Sequence, residues 1–234
     1  MVTRVAVLAS GRGSNLRALH GYLTHDIRAR DTRVALVLSD RPDAGALAFA
    51  VEQGIPAFTM DEGTGESVGL AMQLREHTID LVVLAGFLKL VPSGVVRAYR
   101  GRLLNVHPAL LPAFGGKGMY AKRVHEAVLA SGTRVSGVTV HYVDEHYDRG
   151  PIIAQWPVPV FADDTPDTLA ARVQRVEHLL LPRVVAAVAR KEFALGADGR
   201  VTGKLRRTVG RAAFAVQPQE DDELALEIDA ALAP

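Results

Sequence analysis

A chain of 234 residues with 27 Lys and Arg against 26 Asp and Glu carries a formal net charge of +1 and contains no cysteine. That balance supplies no overall field toward nucleic acid or an anionic membrane. The missing thiols exclude disulfides, thiolate metal ligands and cysteine nucleophiles, and they suit a reducing, cytoplasmic setting. A hydrophobic fraction of 48% with 23% charged residues is that of a packed globular domain.

The chain opens with a short apolar run at residues 5–8 and soon reaches Gly-Arg-Gly-Ser, unlike the hydrophobic region of a signal peptide. Short apolar runs rich in β-branched residues at 4–9, 33–39, 56–59 and 81–85 read as buried strands. Amphipathic stretches at 16–23, 45–53 and 68–77 lie between them. Strand alternating with helix implies right-handed crossovers and an α/β fold: an open, mostly parallel, Rossmann-like twisted sheet with helices on both faces.

A fifth run, 103–107, ends at Pro108, which lacks the N–H needed to continue a central strand. After a glycine-rich stretch, residues 121–130 have helical spacing, with Val124, Ala127 and Val128 on one side. Two strands are expected at 135–143 and 152–160, joined by a charged loop at 144–150. A long helix over 167–190 has Pro166 in its first turn and Pro182 inside, where a kink is expected. A hairpin around Gly199 and an acidic tail with Glu220 and Glu223 complete the chain. The expected division is a catalytic domain at 1–192 and a hairpin and tail at 193–234.

Four segments carry candidate chemistry. Ser10-Gly-Arg-Gly-Ser-Asn15 falls between the first strand and first helix, where glycines permit close approach and free N–H groups favour a phosphate. Gly13, Ser14 and Asn15 are the expected contacts; the competing reading is a tight turn in which Ser14 or Asn15 merely caps the helix. Asn105 and His107 are two apart on a strand, so their side chains share one face and can converge on a developing oxyanion. A histidine at a strand end can equally be structural.

Asp148, in the charged loop, is the carboxylate expected to stabilise that imidazole as a cation and to orient a water. His141, Asp144 and His146 match no zinc-ligand spacing, so no metal is expected. Residues 85–92 place Gly86 in a turn whose apolar neighbours can wall a flat aromatic ligand.

Taken in order, Gly-Arg-Gly-Ser-Asn, Leu-Ala-Gly-Phe, Asn-Val-His-Pro-Ala-Leu-Leu-Pro and Asp-Arg-Gly-Pro-Ile-Ile resemble the folate-dependent formyltransferase family, in its glycinamide ribonucleotide branch, over roughly residues 1–190. The resemblance implies direct attack of the glycinamide ribonucleotide amine on the formyl carbon of 10-formyltetrahydrofolate, used as co-substrate. It implies His107 as protonated electrophile, Asn105 as holder of the formyl oxygen, and Asp148 as support for the imidazolium. Gly13, Ser14 and Asn15 would take the substrate phosphate, with Gln174 and Glu177 facing the ribotide. Leu88, Lys89, Leu90, Val91, Asn105, Asp144 and Glu145 would form the folate side.

The family's arginine before the third helix is missing from the Gly63-Thr-Gly-Glu-Ser67 stretch, so the folate tail must be held otherwise. The partners implied are small molecules, for a monomer or homodimer, without nucleic acid. Methionyl-tRNA formylation and formyl-folate hydrolysis would need further domains, and a catalytically silent nucleotide-binding module would not need the Asn105, His107 and Asp148 set.

Overall fold

The β-branched runs form one seven-stranded sheet in the computed structural model, which describes residues 2–60, 66–203, 226–228 and 230–231. β1 (Thr3–Leu8), β2 (Thr32–Ser39), β3 (Ala57–Thr59), β4 (Leu81–Leu84) and β5 (Leu103–His107) pair in parallel. β6 (Val135–Tyr142) pairs antiparallel with β5, and β7 (Ile152–Pro159) antiparallel with β6. The spatial order is β3-β2-β1-β4-β5-β6-β7.

Strand periodicity of two divides the apolar side chains between the faces. Val5 and Val7 join one core cluster while Ala6 and Leu8 join the other. The first core is covered by α1 (Ser14–His25), α2 (Gly45–Glu52), α5 (Lys122–Ala130) and α6 (Pro166–Ala189), the second by α3 (Glu66–Glu76) and α4 (Ser93–Ala98). Leu16 and Leu19 of α1 are fully buried, and each such leucine contributes roughly 1.5–3 kcal/mol. Gly13, at the N-cap of α1, makes no side-chain capping bond. A cap is worth about 1 kcal/mol, so packing sets the position of this helix.

α6 has the expected start: the Thr165 side chain accepts from the Thr168 N–H, the Thr168 side chain returns the bond, and Pro166 sits in the first turn. The helix runs unbroken through Pro182. α4 was not legible as a helix because it is only one and a half turns long and follows Pro92 directly. β8 (Phe193–Leu195) and β9 (Val201–Gly203) form the expected hairpin, and Phe193 is buried in the first core. Ile228 is also fully buried there, and the Glu227 carboxylate pairs with Arg183 at 2.6 Å. Residues 63–65, within the stretch that lacks the arginine, and the acidic residues Glu220–Glu223 lie outside the described residues.

The order of strands reverses between β1 and β4. From β1 the chain moves outward to β2 and β3, then returns to lay down β4 and β5 on the other side. Crossovers leaving in opposite directions open a crevice at the carboxyl ends of these strands, which is where open α/β sheets bind ligands.

Candidate active site

The crevice is a cleft of about 870 Å³, lined at one end by Gly13, Ser14 and Asn15 and at the other by Asn105, His107 and Asp148. It falls within the range of small-molecule sites, about 300–1,000 Å³. The first end is built from the β1–α1 turn. Gly13 has φ +78°, and a Cβ there would come within 2.9 Å of the Ala46 Cα, so both conformation and space require glycine. Because no side chain caps α1, neither Ser14 nor Asn15 serves as the cap, and the free N–H groups of the first turn face the cleft end.

α6 supplies the opposite wall of this end. Gln174 Nε2 donates to Ser14 Oγ at 3.1 Å, and Asn15 Nδ2 donates to Glu177 Oε2 at 2.8 Å. Glu177 is buried, and that burial pushes its carboxyl up to about 7 against the smaller opposing effect of the Asn15 hydrogen bond.

The second end sits where β5 leaves the sheet. Asn105 pairs in register with His141, and His107 with Thr139, so the face shared by Asn105 and His107 also carries His141. His141 Nδ1 lies 2.8 Å from the Tyr142 carbonyl. A carbonyl only accepts, so Nδ1 carries the proton and Nε2 presents a lone pair. That lone pair accepts from Asn105 Nδ2 at 3.1 Å, and the same amide nitrogen lies 3.3 Å from Asp148 Oδ1. His107 is fixed in the same manner: its Nε2 donates to the Phe114 carbonyl at 2.9 Å, which leaves Nδ1 facing Asp148 Oδ2 at 3.6 Å. Asp148 itself has φ +55° and accepts from the Gly116 N–H at 2.9 Å. A Cβ on Gly150 would overlap the Tyr142 carbonyl oxygen, so the loop that presents Asp148 closes tightly against β6.

Burial decides the protonation of this group. It pushes His107 below its ordinary value, more strongly than Asp148 and the Phe114 carbonyl pull it up, with His141 adding to the lowering. Against the expectation of a cationic His107, burial of the residue, 3% exposed, favours the neutral imidazole in the ligand-free chain. Burial also raises Asp148, but His141, His107 and the Gly116 N–H together bring it below the usual carboxylate value, so it is ionised.

On the folate side, Leu88 and Leu90 line the cleft with 42% and 47% of their surface exposed, and Lys89 lines it beside them. Val91 lines the cleft as well, with its side chain packed into the second core. Asp144 and Glu145 are not part of the cleft wall. The Asp144 carboxylate turns back to accept from the His146 N–H at 2.8 Å, and Glu145 pairs outward with Arg97 at 3.1 Å. His146 and Tyr147 line the cleft instead.

Two further lining residues escaped the sequence reading. His141 was weighed only as a metal ligand; its signal was the pairing partner of Asn105, which needs the register. His125 shares the buried face of α5 with Val124 and Val128 and faces the cleft.

The open α/β sheet thus carries a helix start suited to an anion at one end of its crevice, while an amide, an imidazole and a carboxylate converge at the other. The chain belongs to the formyl transferase family, whose model matches residues 3–185. It is 43% identical over 201 residues to a chloroplastic phosphoribosylglycinamide formyltransferase of Vigna unguiculata, covering 84% of this chain and 64% of that relative, just under two thirds of its length. It is 37% identical over 187 residues to phosphoribosylglycinamide formyltransferase of Bacillus subtilis (strain 168), covering 78% of this chain and 92% of that one. Among solved structures, glycinamide ribonucleotide transformylase 1 from Symbiobacterium toebii is similar at a TM-score of 0.77 and 37% identity, covering 86% of this chain and 93% of that one.

Proposed function

We propose that this chain transfers the formyl group of 10-formyltetrahydrofolate to the amine of glycinamide ribonucleotide, giving formylglycinamide ribonucleotide and tetrahydrofolate in purine synthesis. The observation that carries the reading is the convergence of Asn105, His107 and Asp148, within 3.3–3.6 Å across Asp148, in the same cleft as the glycine turn at Gly13. The curated relatives named above support it. In the reaction the amine nitrogen bonds to the formyl carbon, the bond from that carbon to N10 breaks, and one proton passes from amine to N10. No electrons are exchanged and no metal or covalent enzyme adduct is required.

The residues act by electrostatics. His107 Nε2–H is held by the Phe114 carbonyl at 2.9 Å, which fixes the ring and leaves Nδ1, on the Asp148 side, as the atom that works on the reacting groups. As the amine attacks, His107 Nδ1 takes the proton the amine sheds, the Asp148 carboxylate 3.6 Å away stabilises the imidazolium beside the negative formyl oxygen, and the proton passes to N10 as its bond to carbon breaks. Asn105 Nδ2, held between His141 Nε2 and Asp148 Oδ1 in the free chain, exchanges its longer bond to Asp148 for one to the formyl oxygen. At the other end Gly13, Ser14 and Asn15 take the phosphate, with Gln174 and Glu177 on the ribose. Leu88 and Leu90 offer the apolar surface a pterin ring requires, with Lys89 beside them. Residues 1–192 act as the catalytic unit and 193–234 as an appendage, a division supported by the family match ending at residue 185, with Phe193 and Ile228 of the appendage set in the first core. The absence of cysteine supports a cytoplasmic setting.

The test is a formyl-transfer assay with glycinamide ribonucleotide, methionyl-tRNA and water as competing acceptors. Transfer to the ribotide alone is expected, and His107→Ala is expected to lower kcat by at least about 100-fold, the low end of general acid–base and oxyanion contributions. Turnover with water or tRNA instead would refute the acceptor assignment, and full activity of the variant would refute the role of His107.

A further inference from the structure

His125 lies on the apolar face of α5, where a histidine is ordinarily held by hydrogen bonds to its neighbours. Here it is not: the residue is 4% exposed, neither ring nitrogen has a hydrogen-bond partner among the described residues, and Nδ1 is closed off from water. Leaving a buried polar atom unsatisfied costs about 1–3 kcal/mol. Leucine, of similar volume, would fill the same space beside Val124 and Val128 without that cost. The sequence therefore retains a polar atom that packing does not reward, and such groups point to ligand-binding or catalytic roles.

The ring also has a definite outlook. It forms part of the cleft wall, close enough to His107 for the charges of the two rings to interact. Burial, and secondarily His107, push its imidazolium down to about 4, so the ring stays neutral at neutral pH. A neutral imidazole offers one N–H and one lone pair. It suits an uncharged polar group better than a phosphate or a carboxylate, for which the cleft already holds cationic and backbone donors. In the ribotide, the uncharged polar group next to the reacting amine is the glycinamide amide, which lies between that amine and the ribose. A group that binds this amide must stand near His107.

We propose that His125 contacts the ribotide, hydrogen-bonding the glycinamide amide through its cleft-side ring nitrogen and so positioning the attacking amine; this rests on the formyl-transfer reading of the cleft. The interaction exists only with the ribotide bound, which accounts for Nε2 having no partner among the described residues of the free chain, while Nδ1 stays closed off in either state.

The experiment compares His125→Leu and His125→Gln with the parent protein, measuring kcat and KM for each substrate separately together with the melting temperature. His125→Leu is expected to lower kcat/KM for the ribotide about tenfold, the worth of one hydrogen bond of ordinary strength. The folate KM should stay within about twofold, and the melting temperature should hold or rise as the unsatisfied nitrogen is removed. His125→Gln, which can place an amide group near the position of Nε2, should recover part of the loss. Parent-like ribotide kinetics in His125→Leu, or equal losses for both substrates with a lowered melting temperature, would overturn the proposal and leave His125 as a packing residue. A parent protein that does not formylate the ribotide at all overturns the formyl-transfer reading and this proposal with it, whereas an active parent with an unaffected variant overturns this proposal alone.

Discussion

Replacing Glu177 by glutamine should make the protein more stable at pH 8 and leave it nearly unchanged at pH 4.5. The carboxyl is raised from 4.5 to about 7 by burial. The folded chain therefore holds a proton between those values that the unfolded chain has released. Stability from this group is complete below pH 4.5, falls as pH rises toward 7, and is flat above. A difference of about 2.5 pKa units corresponds to about 3 kcal/mol at 1.36 kcal/mol per unit. Glutamine carries no charge and removes that slope, and its amide can also donate to Asn15 Oδ1, which is buried without a partner.

For a chain of this size each kcal/mol moves the melting temperature by about 2–4 °C, so the gain at pH 8 is roughly 6–12 °C, read by ligand-free thermal melts across the pH range. The same variant should raise the ribotide KM, because a carboxylate that accepts from ribose hydroxyls has been lost. A melting difference that is constant from pH 5 to pH 8, or a variant less stable at pH 8, would refute the reasoning.

Further outcomes follow from the same geometry. Asp148→Asn should lower kcat and move the acidic limb of the kcat/KM profile to lower pH, because His107, which must be neutral to take up a proton, loses the charge that pulls its pKa up; an unmoved profile would assign Asp148 another task. Gly13→Ala, with φ +78° and Ala46 in the way, should raise the ribotide KM more than the folate KM, whereas an equal rise in both would count against phosphate binding at this turn. Asp164, held down to about 2 chiefly by its hydrogen bonds to Arg172 at 2.7 and 2.8 Å, contributes stability that is present above pH 3.8 and lost as pH falls through 2. Asp164→Asn should therefore cost about 2 kcal/mol at pH 7 by urea denaturation and much less at pH 2; equal costs at both would remove the ion pair as the cause.

Local chemistry alone settled much of this protein. The β-branched runs, the glycine turn before α1, the stop at Pro108 and the two-residue spacing of Asn105 and His107 are all written in neighbouring residues, because strand period, turn conformation and capping are short-range effects. Fold class could be read from them, and so could the common face of Asn105 and His107. Contacts that join residues distant in sequence could not.

The antiparallel register that sets His141 opposite Asn105 is a product of the sheet. So is the bond from Asn15 to Glu177, 162 residues away. The turn of Asp144 and Glu145 away from the cleft, the burial of Val91 and the outlook of His125 depend equally on what packs alongside. Above all, the sequence placed a carboxylate beside a histidine and so implied a cation, whereas the tertiary structure buries that ring, and burial lowers its pKa. Desolvation is a property of the assembled surroundings, and no stretch of sequence carries it.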